Sequence, residues 1–258
     1  MPHILEGPGL MFLGLGATCG PGDTPLHDAG VFDRSVTQVA EQRFPVLGWD
    51  PILKAMAIAG EFAATGKLWQ RKELCPPPPS DPTEDIAKLI EYRDGGRNQR
   101  REEIATQAMS FYDYFAQLLS ASPPSRPHTH VLIMTGIYVG GFVVAYWKLK
   151  HMRPRPVQVC PRVFPTIMTP PHPSYPSGHA LESALAAECA KLVAPLPLHD
   201  PLDVLAERIG RNREYAGVHY PSDTDRSLAL AKPVFDILNN EDLVPEFRNL
   251  VELARQEW

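Results

Sequence analysis

Apolar positions along the chain recur mostly at three- and four-residue spacing, the period of an α-helix. DPILKAMAIAGEFAATGKLW opens with Asp50 as a helix cap and Pro51 at the first helical position. SDPTEDIAKLIEYR repeats that arrangement, and Asp94-Gly95-Gly96 stops it. Next, Ile104, Ala108, Phe111, Phe115, Leu118 and Leu119 share one helical face. Further helices are predicted over 131–150, 178–193, 200–216, 222–239 and 241–256. Two proline-rich runs, CPPPPSDP (75–82) and SPPSRPH (122–128), cannot continue a helix and read as connections. Strand-like alternation is scarce and no internal repeat is present. The pattern predicts an all-α fold: one helical-bundle domain over 1–258, with 1–49 an irregular N-terminal segment.

One segment, VLIMTGIYVGGFVVAYW (131–147), has 17 residues and no charge. That is the lower limit for a membrane span. The central helix of a bundle, buried on all sides, has the same signature. Burial is the preferred reading, because no other stretch approaches spanning length. The N-terminal MPHILEGPGLMFLGLGATCGPG is mildly apolar, but it lacks a basic start and carries Glu6 early, unlike a secretory signal. The four cysteines, Cys19, Cys75, Cys160 and Cys189, form no Cys-x-x-Cys pair and read as free thiols in a reducing compartment. These features predict a soluble, cytoplasmic protein, with membrane association not expected.

The net charge is -5, from 25 Lys and Arg against 30 Asp and Glu, and no polybasic tract stands out. Nucleic acid is therefore not an expected partner. A small anionic substrate would need a local cluster of cations. Three stretches supply one. KLKHMRPRP carries Lys148 and Arg155, the latter braced by Pro154 and Pro156. PSGHA (176–180) carries Ser177 and Gly178 at a helix start, followed by His179. NREYAGVHYPSD carries Arg213, His219 and Asp223.

Ser177 reads as a helix N-cap, and the free N–H groups of that helix start suit an oxyanion. Gly178 lets backbone approach a ligand closely. Ser222 reads as the cap of the following helix. Three cations, a glycine amide and a hydroxyl supply donors, the composition of a cage for a tetrahedral oxyanion such as phosphate. His219, oriented by Asp223 four residues on, suits attack as a neutral imidazole. His179 suits protonation of a leaving oxygen. His172, His179, His219 and Asp223 are also the residue types of a divalent-metal site. The three neighbouring cations would repel such an ion, so no divalent metal is expected.

These stretches, in this order, resemble the type 2 phosphatidic acid phosphatase and vanadium-dependent haloperoxidase superfamily. Its pattern is matched by Lys148 with Arg155-Pro156, by Pro176-Ser177-Gly178-His179, and by Arg213, His219 and Asp223, all within 148–223. Asn212 stands where the family usually has serine. The resemblance implies a helical bundle and an enzyme. Lys148, Arg155, Ser177, the Gly178 amide and Arg213 would bind the oxyanion. His219 would bond to phosphorus in a phosphohistidine intermediate, or to vanadium in a haloperoxidase. His179 would be the acid–base partner and Asp223 the orienter of His219. A homodimer is compatible with the family, since one chain supplies one bundle.

His172, seven residues before His179, occupies a position that is aromatic or histidine in similar haloperoxidases. On that ground the expected activity is halide oxidation by hydrogen peroxide, with vanadate on His219 and His172 in the catalytic set. The alternative is a soluble phosphomonoesterase without a cofactor. The length of the chain resembles that of soluble acid phosphatases.

Overall fold

The computed structural model describes residues 49–258, and every regular element among them is helical. The irregular segment expected over 1–49 lies, up to residue 48, outside the described residues. Eleven α-helices follow Asp50: α1 Pro51–Ala63, α2 Gly66–Trp69, α3 Thr83–Asp94, α4 Arg101–Met109, α5 Tyr112–Leu119, α6 Pro127–His151, α7 Pro156–Val159, α8 Gly178–Lys191, α9 His199–Tyr215, α10 Pro221–Leu238 and α11 Pro245–Arg255. Asp50 caps α1, its carboxylate accepting from Leu53 N (2.9 Å), and Pro51 takes the first helical position.

The face predicted as one helix over 104–119 is two helices. Ser110 is extended (φ -156°, ψ 106°) and breaks the run between α4 and α5. Ile104, Phe111, Phe115 and Leu119 still point inward, whereas Ala108 is exposed. The break turns Phe111 toward the ring of His179 (centroids 5.2 Å apart).

Helices α6 and α8 form the centre of the bundle. On one side they pack with α1, α10 and α11 over a core that includes Phe62, Leu132, Val139, Leu185, Val234 and Phe247. On the other, α8 meets α5 and α9 through Phe115, Ala186, Ala190, Leu202 and Ile209. The segment without charge is thus largely interior: Val131, Leu132, Ile133, Val139, Val143, Val144 and Trp147 are all buried.

Two glycines set the approach of α6 to α8. A Cβ on Gly136 would lie 2.8 Å from the Leu185 carbonyl oxygen, and one on Gly140 2.8 Å from the Glu182 Cα. The backbones touch because no side chain separates them. This contact fixes Lys148, on α6, against the start of α8. Gly136→Val should cost about 3 kcal/mol or more by forcing the helices apart. Chemical denaturation checks it, and an unchanged midpoint would contradict this packing.

The start of α6 is held from the far end of the chain. The Glu257 carboxylate accepts from His128 N (2.7 Å) and Thr129 N (2.8 Å), an anion at the positive end of the helix.

Candidate active site

Three chain segments meet where α6 ends and where α8 and α10 begin. Lys148 occupies the last turn of α6. Met152 ends that helix in the left-handed region (φ 49°, ψ 32°), and the following segment carries Arg153 and Arg155 inward; both are buried. Ser177 precedes α8, and its backbone is tied to α10: Ser177 N donates to the Asp223 carbonyl (3.2 Å), and Ser227 Oγ donates to the Ser177 carbonyl (2.8 Å). The two helix starts are thereby stapled together. Gly178 and His179 open α8, with first-turn amides that have no acceptor inside the helix.

His219 lies immediately outside α10 and is 3% exposed. Its Nδ1 is 3.0 Å from Asp223 Oδ2. Arg155 Nη1 donates to its Nε2 (3.0 Å). Because arginine only donates, Nε2 carries the lone pair and Nδ1 the proton. Burial, followed by the charges of Arg155 and Lys148, holds the His219 pKa well below its ordinary value. The ring is therefore neutral, with a basic nitrogen aimed at cations.

Asp223 is fully buried. Its Oδ2 also accepts from Tyr220 N (3.1 Å), and its Oδ1 from Arg153 Nη1 (2.6 Å). Burial raises its pKa, and Arg153 opposes that rise.

The cations divide their donors. Lys148 Nζ donates to the carbonyls of Pro173 (2.6 Å) and Ser174 (2.9 Å), which leaves one of its three protons for a ligand. Arg155 Nε donates to the His172 carbonyl (2.9 Å) and Nη1 also to the Val218 carbonyl (2.7 Å). Arg213 Nη2 donates to the Ile104 carbonyl (3.0 Å). Among the described residues, Arg213 Nε and Nη1 and Ser177 Oγ are buried without a hydrogen-bond partner. Buried donors left unpaired are costly.

Neither expected serine cap forms. Ser177 occupies the cap position of α8, but its hydroxyl makes no cap bond. Ser222 lies within the first turn of α10, behind Tyr220 and Pro221, and its Oγ donates to Asp85 Oδ2. The Asp223 carboxylate, reaching back to Tyr220 N, does the capping instead.

His179 stands in the same field. Burial, then the Arg213 charge, lowers its pKa to about 3. Its Nε2 donates to the Gln107 carbonyl over a long 3.3 Å. His172 sits at the rim. Its Nδ1 accepts from Arg155 Nη2 (3.0 Å), and partial burial, then Lys148 and Arg155, lowers its pKa to about 4. The ring of His172 thus acts on Arg155. Among the described residues, no three His, Cys, Asp or Glu side chains gather in a way that would hold a metal ion.

Four contributors escape sequence reasoning. Gln107, on α4, accepts from Asn212 Nδ2 (2.9 Å) and, more loosely, from Arg213 Nη2 (3.5 Å), so Asn212 belongs to the wall behind Arg213. Arg153 and Asp85 stand behind Asp223. Glu182, one turn beyond Gly178, is half-buried, with Oε1 3.2 Å from where a Gly178 Cβ would sit. Only Arg153 had a visible signal, its place beside Pro154 in the cationic stretch.

Burial raises the Glu182 pKa from 4.5 to about 7, opposed by Lys148. The folded state therefore holds a proton that the unfolded chain releases between those values, and stability falls as pH rises across that window. Glu182→Gln does not titrate. Its melting temperature should gain on wild type as pH goes from about 5 to about 8. A difference that stays constant with pH would contradict this environment for Glu182.

No family model matches the chain, and no curated protein matches it. Among solved structures it is similar to the crystal structure of a transmembrane PAP2 type phosphatidylglycerolphosphate phosphatase from Bacillus subtilis. The TM-score is 0.47 and the identity 18%, over 74% of this chain and 95% of that one. The expectation of a soluble, cytoplasmic protein away from membranes is corrected here. The stretch Pro127–Val159 is long and apolar enough to cross a membrane by length and composition.

Proposed function

We propose that this protein hydrolyses phosphate esters through a covalent phosphohistidine on His219, as a member of the phosphatidic acid phosphatase type 2 superfamily. The observation that carries this reading is a neutral His219 whose basic Nε2 faces Arg155, in a chain that also buries unpartnered donors on Arg213 and Ser177. The supporting chemistry is phosphoryl transfer, in which positioning and charge stabilisation supply most of the rate.

Arg155, Arg213, Lys148, Ser177 Oγ and the Gly178 amide bind the phosphoryl oxygens. Arg155 Nη1 exchanges His219 Nε2 for an oxygen, which frees the lone pair. Nε2 then forms a bond to phosphorus as the P–O ester bond breaks, and His179 gives its proton to the leaving oxygen. Burial, then the Arg213 charge, holds the His179 pKa low; a bound dianion offsets that charge, so substrate itself raises the acid's proton affinity. In the second step His179 takes a proton from water, the water oxygen bonds to phosphorus, and the P–N bond returns its electron pair to His219.

Vanadate has the charge and shape of phosphate, and the unpaired donors of Arg213 and Ser177 fit it equally. The same five donors and His219 would hold it. When bound in a haloperoxidase, vanadate supplies activation of peroxide. The residue on which that branch rested, His172, spends its Nδ1 on Arg155, and no observation favours halide oxidation over ester hydrolysis.

Turnover of 4-nitrophenyl phosphate, inhibited competitively by vanadate, tests the proposal. Absence of turnover from acid to neutral pH, with bromide oxidation appearing once vanadate and peroxide are added, would overturn it.

A further inference from the structure

Behind the His219–Asp223 pair stands a second charged pair from distant parts of the chain. Arg153 is 6% exposed. Its Nη1 donates to Asp223 Oδ1 (2.6 Å) and Ser222 Oγ (2.8 Å), and its Nη2 to Asp85 Oδ2 (3.1 Å). Its guanidinium lies 3.7 Å from the centre of the Tyr220 ring. Asp85, in the first turn of α3, also accepts from Ser222 N (3.3 Å) and Ser222 Oγ. Arg153 therefore has one face stacked and both terminal nitrogens committed, which leaves its fork a single orientation.

The arrangement has consequences for Asp223. A carboxylate without water must be paired to stay charged. Only a charged Asp223, with Oδ2 turned to His219, fixes the proton on Nδ1 and leaves Nε2 basic. Arg153 supplies the countercharge, and Asp85 keeps Arg153 from rotating away. Sequence spacing cannot reveal this, since α3 is far from the cationic stretches along the chain.

We propose that Arg153 and Asp85 are positioning residues that act through Asp223 to set the tautomer and aim of His219. Neither touches the phosphoryl group. The inference deepens the phosphohistidine reading and rests on it for its kinetic consequence, but the tautomer is measurable without turnover.

The test is Asp85→Asn, read two ways. In long-range 1H–15N spectra of the histidine rings, His219 should be a single Nδ1–H tautomer in the wild type and a mixture in the variant. In steady-state hydrolysis of 4-nitrophenyl phosphate, kcat should fall about tenfold with KM within about twofold, a loss confined to the chemical step. In an Asp223→Asn background the same change should cost less than about twofold, because coupled residues are non-additive. Asp85→Glu, which keeps the charge, should restore most of kcat. If Asp85→Asn fails to fold, Arg153→Lys replaces it; lysine keeps the charge but cannot bridge two carboxylates, and should give the same mixed ring spectrum.

An unchanged ring spectrum overturns the proposal. So does a kcat loss that persists undiminished when Asp223 is already replaced. A tautomer shifted by Asp85→Asn, where the wild-type protein has no phosphatase activity, leaves the positioning role standing and removes the phosphatase reading.

Discussion

His219→Ala is expected to abolish hydrolysis of 4-nitrophenyl phosphate, with a fall in kcat on the order of 10^5-fold. The magnitude follows from its position. Nε2 is the basic atom placed among the oxyanion donors, and losing a covalent nucleophile removes the route itself. The fold should survive, because Asp223 keeps Tyr220 N and Arg153 as partners. Vanadate or phosphate should still bind, more weakly, through Arg155, Arg213 and Lys148. A variant that is folded, binds phosphate and retains more than about one per cent of wild-type kcat would remove His219 from the mechanism.

The second large effect belongs to His179. His179→Ala should lower kcat about 10^3-fold for an alkyl phosphate, whose leaving alkoxide needs a proton. With 4-nitrophenyl phosphate the loss should be far smaller, about tenfold, because nitrophenolate leaves unaided. Equal losses on both substrates would assign His179 to binding. The pH dependence carries the same sign. With a pKa near 3 in the free enzyme, His179 is deprotonated at neutral pH. For alkyl phosphates kcat/KM should therefore rise as pH falls from neutral. His219 stays neutral over that range, because its own pKa is held below the ordinary value. A rate that rises with pH through neutrality would contradict both assignments.

The residues of the proposed site could be picked out in the sequence because short spacings carry them. The span from Lys148 to Arg155 crosses one helix end, and the four-residue step from His219 to Asp223 closes one turn. The helical class was legible from periodicity, and the chargeless run 131–147 belongs to α6, largely buried between α1, α8 and α11. What failed was local and polar. Ser110 splits a face that periodicity read as continuous. Ser177 and Ser222 look like caps, but the first leaves its hydroxyl unpaired in the cage and the second gives its hydroxyl to Asp85.

What stayed hidden depends on contacts between distant segments. Gln107 sits on a short, mostly polar helix, and only the fold brings it to Arg213 and Asn212. Asp85 looks like a first-turn acid that favours its own helix, as acids there commonly do. Its second task, holding Arg153, exists only once α3 meets α10. Glu182 resembles any solvated glutamate until Gly140 and Gly178 close around it. His172 shows a contact the sequence does not reveal. Its place along the chain suggested proton chemistry, whereas its ring is engaged with Arg155.

The most direct test of the central claim is a rapid-quench experiment on the whole protein with a 32P-labelled phosphate ester. Label should appear on the protein within the first turnover, stable to alkali and labile to acid as a phosphoramidate is, and should map to His219. It should accumulate further in His179→Ala with a substrate carrying a good leaving group, since loss of the base slows attack by water. Phosphate released in the first turnover with no labelled protein in either form, or label on another residue, would contradict a phosphohistidine on His219.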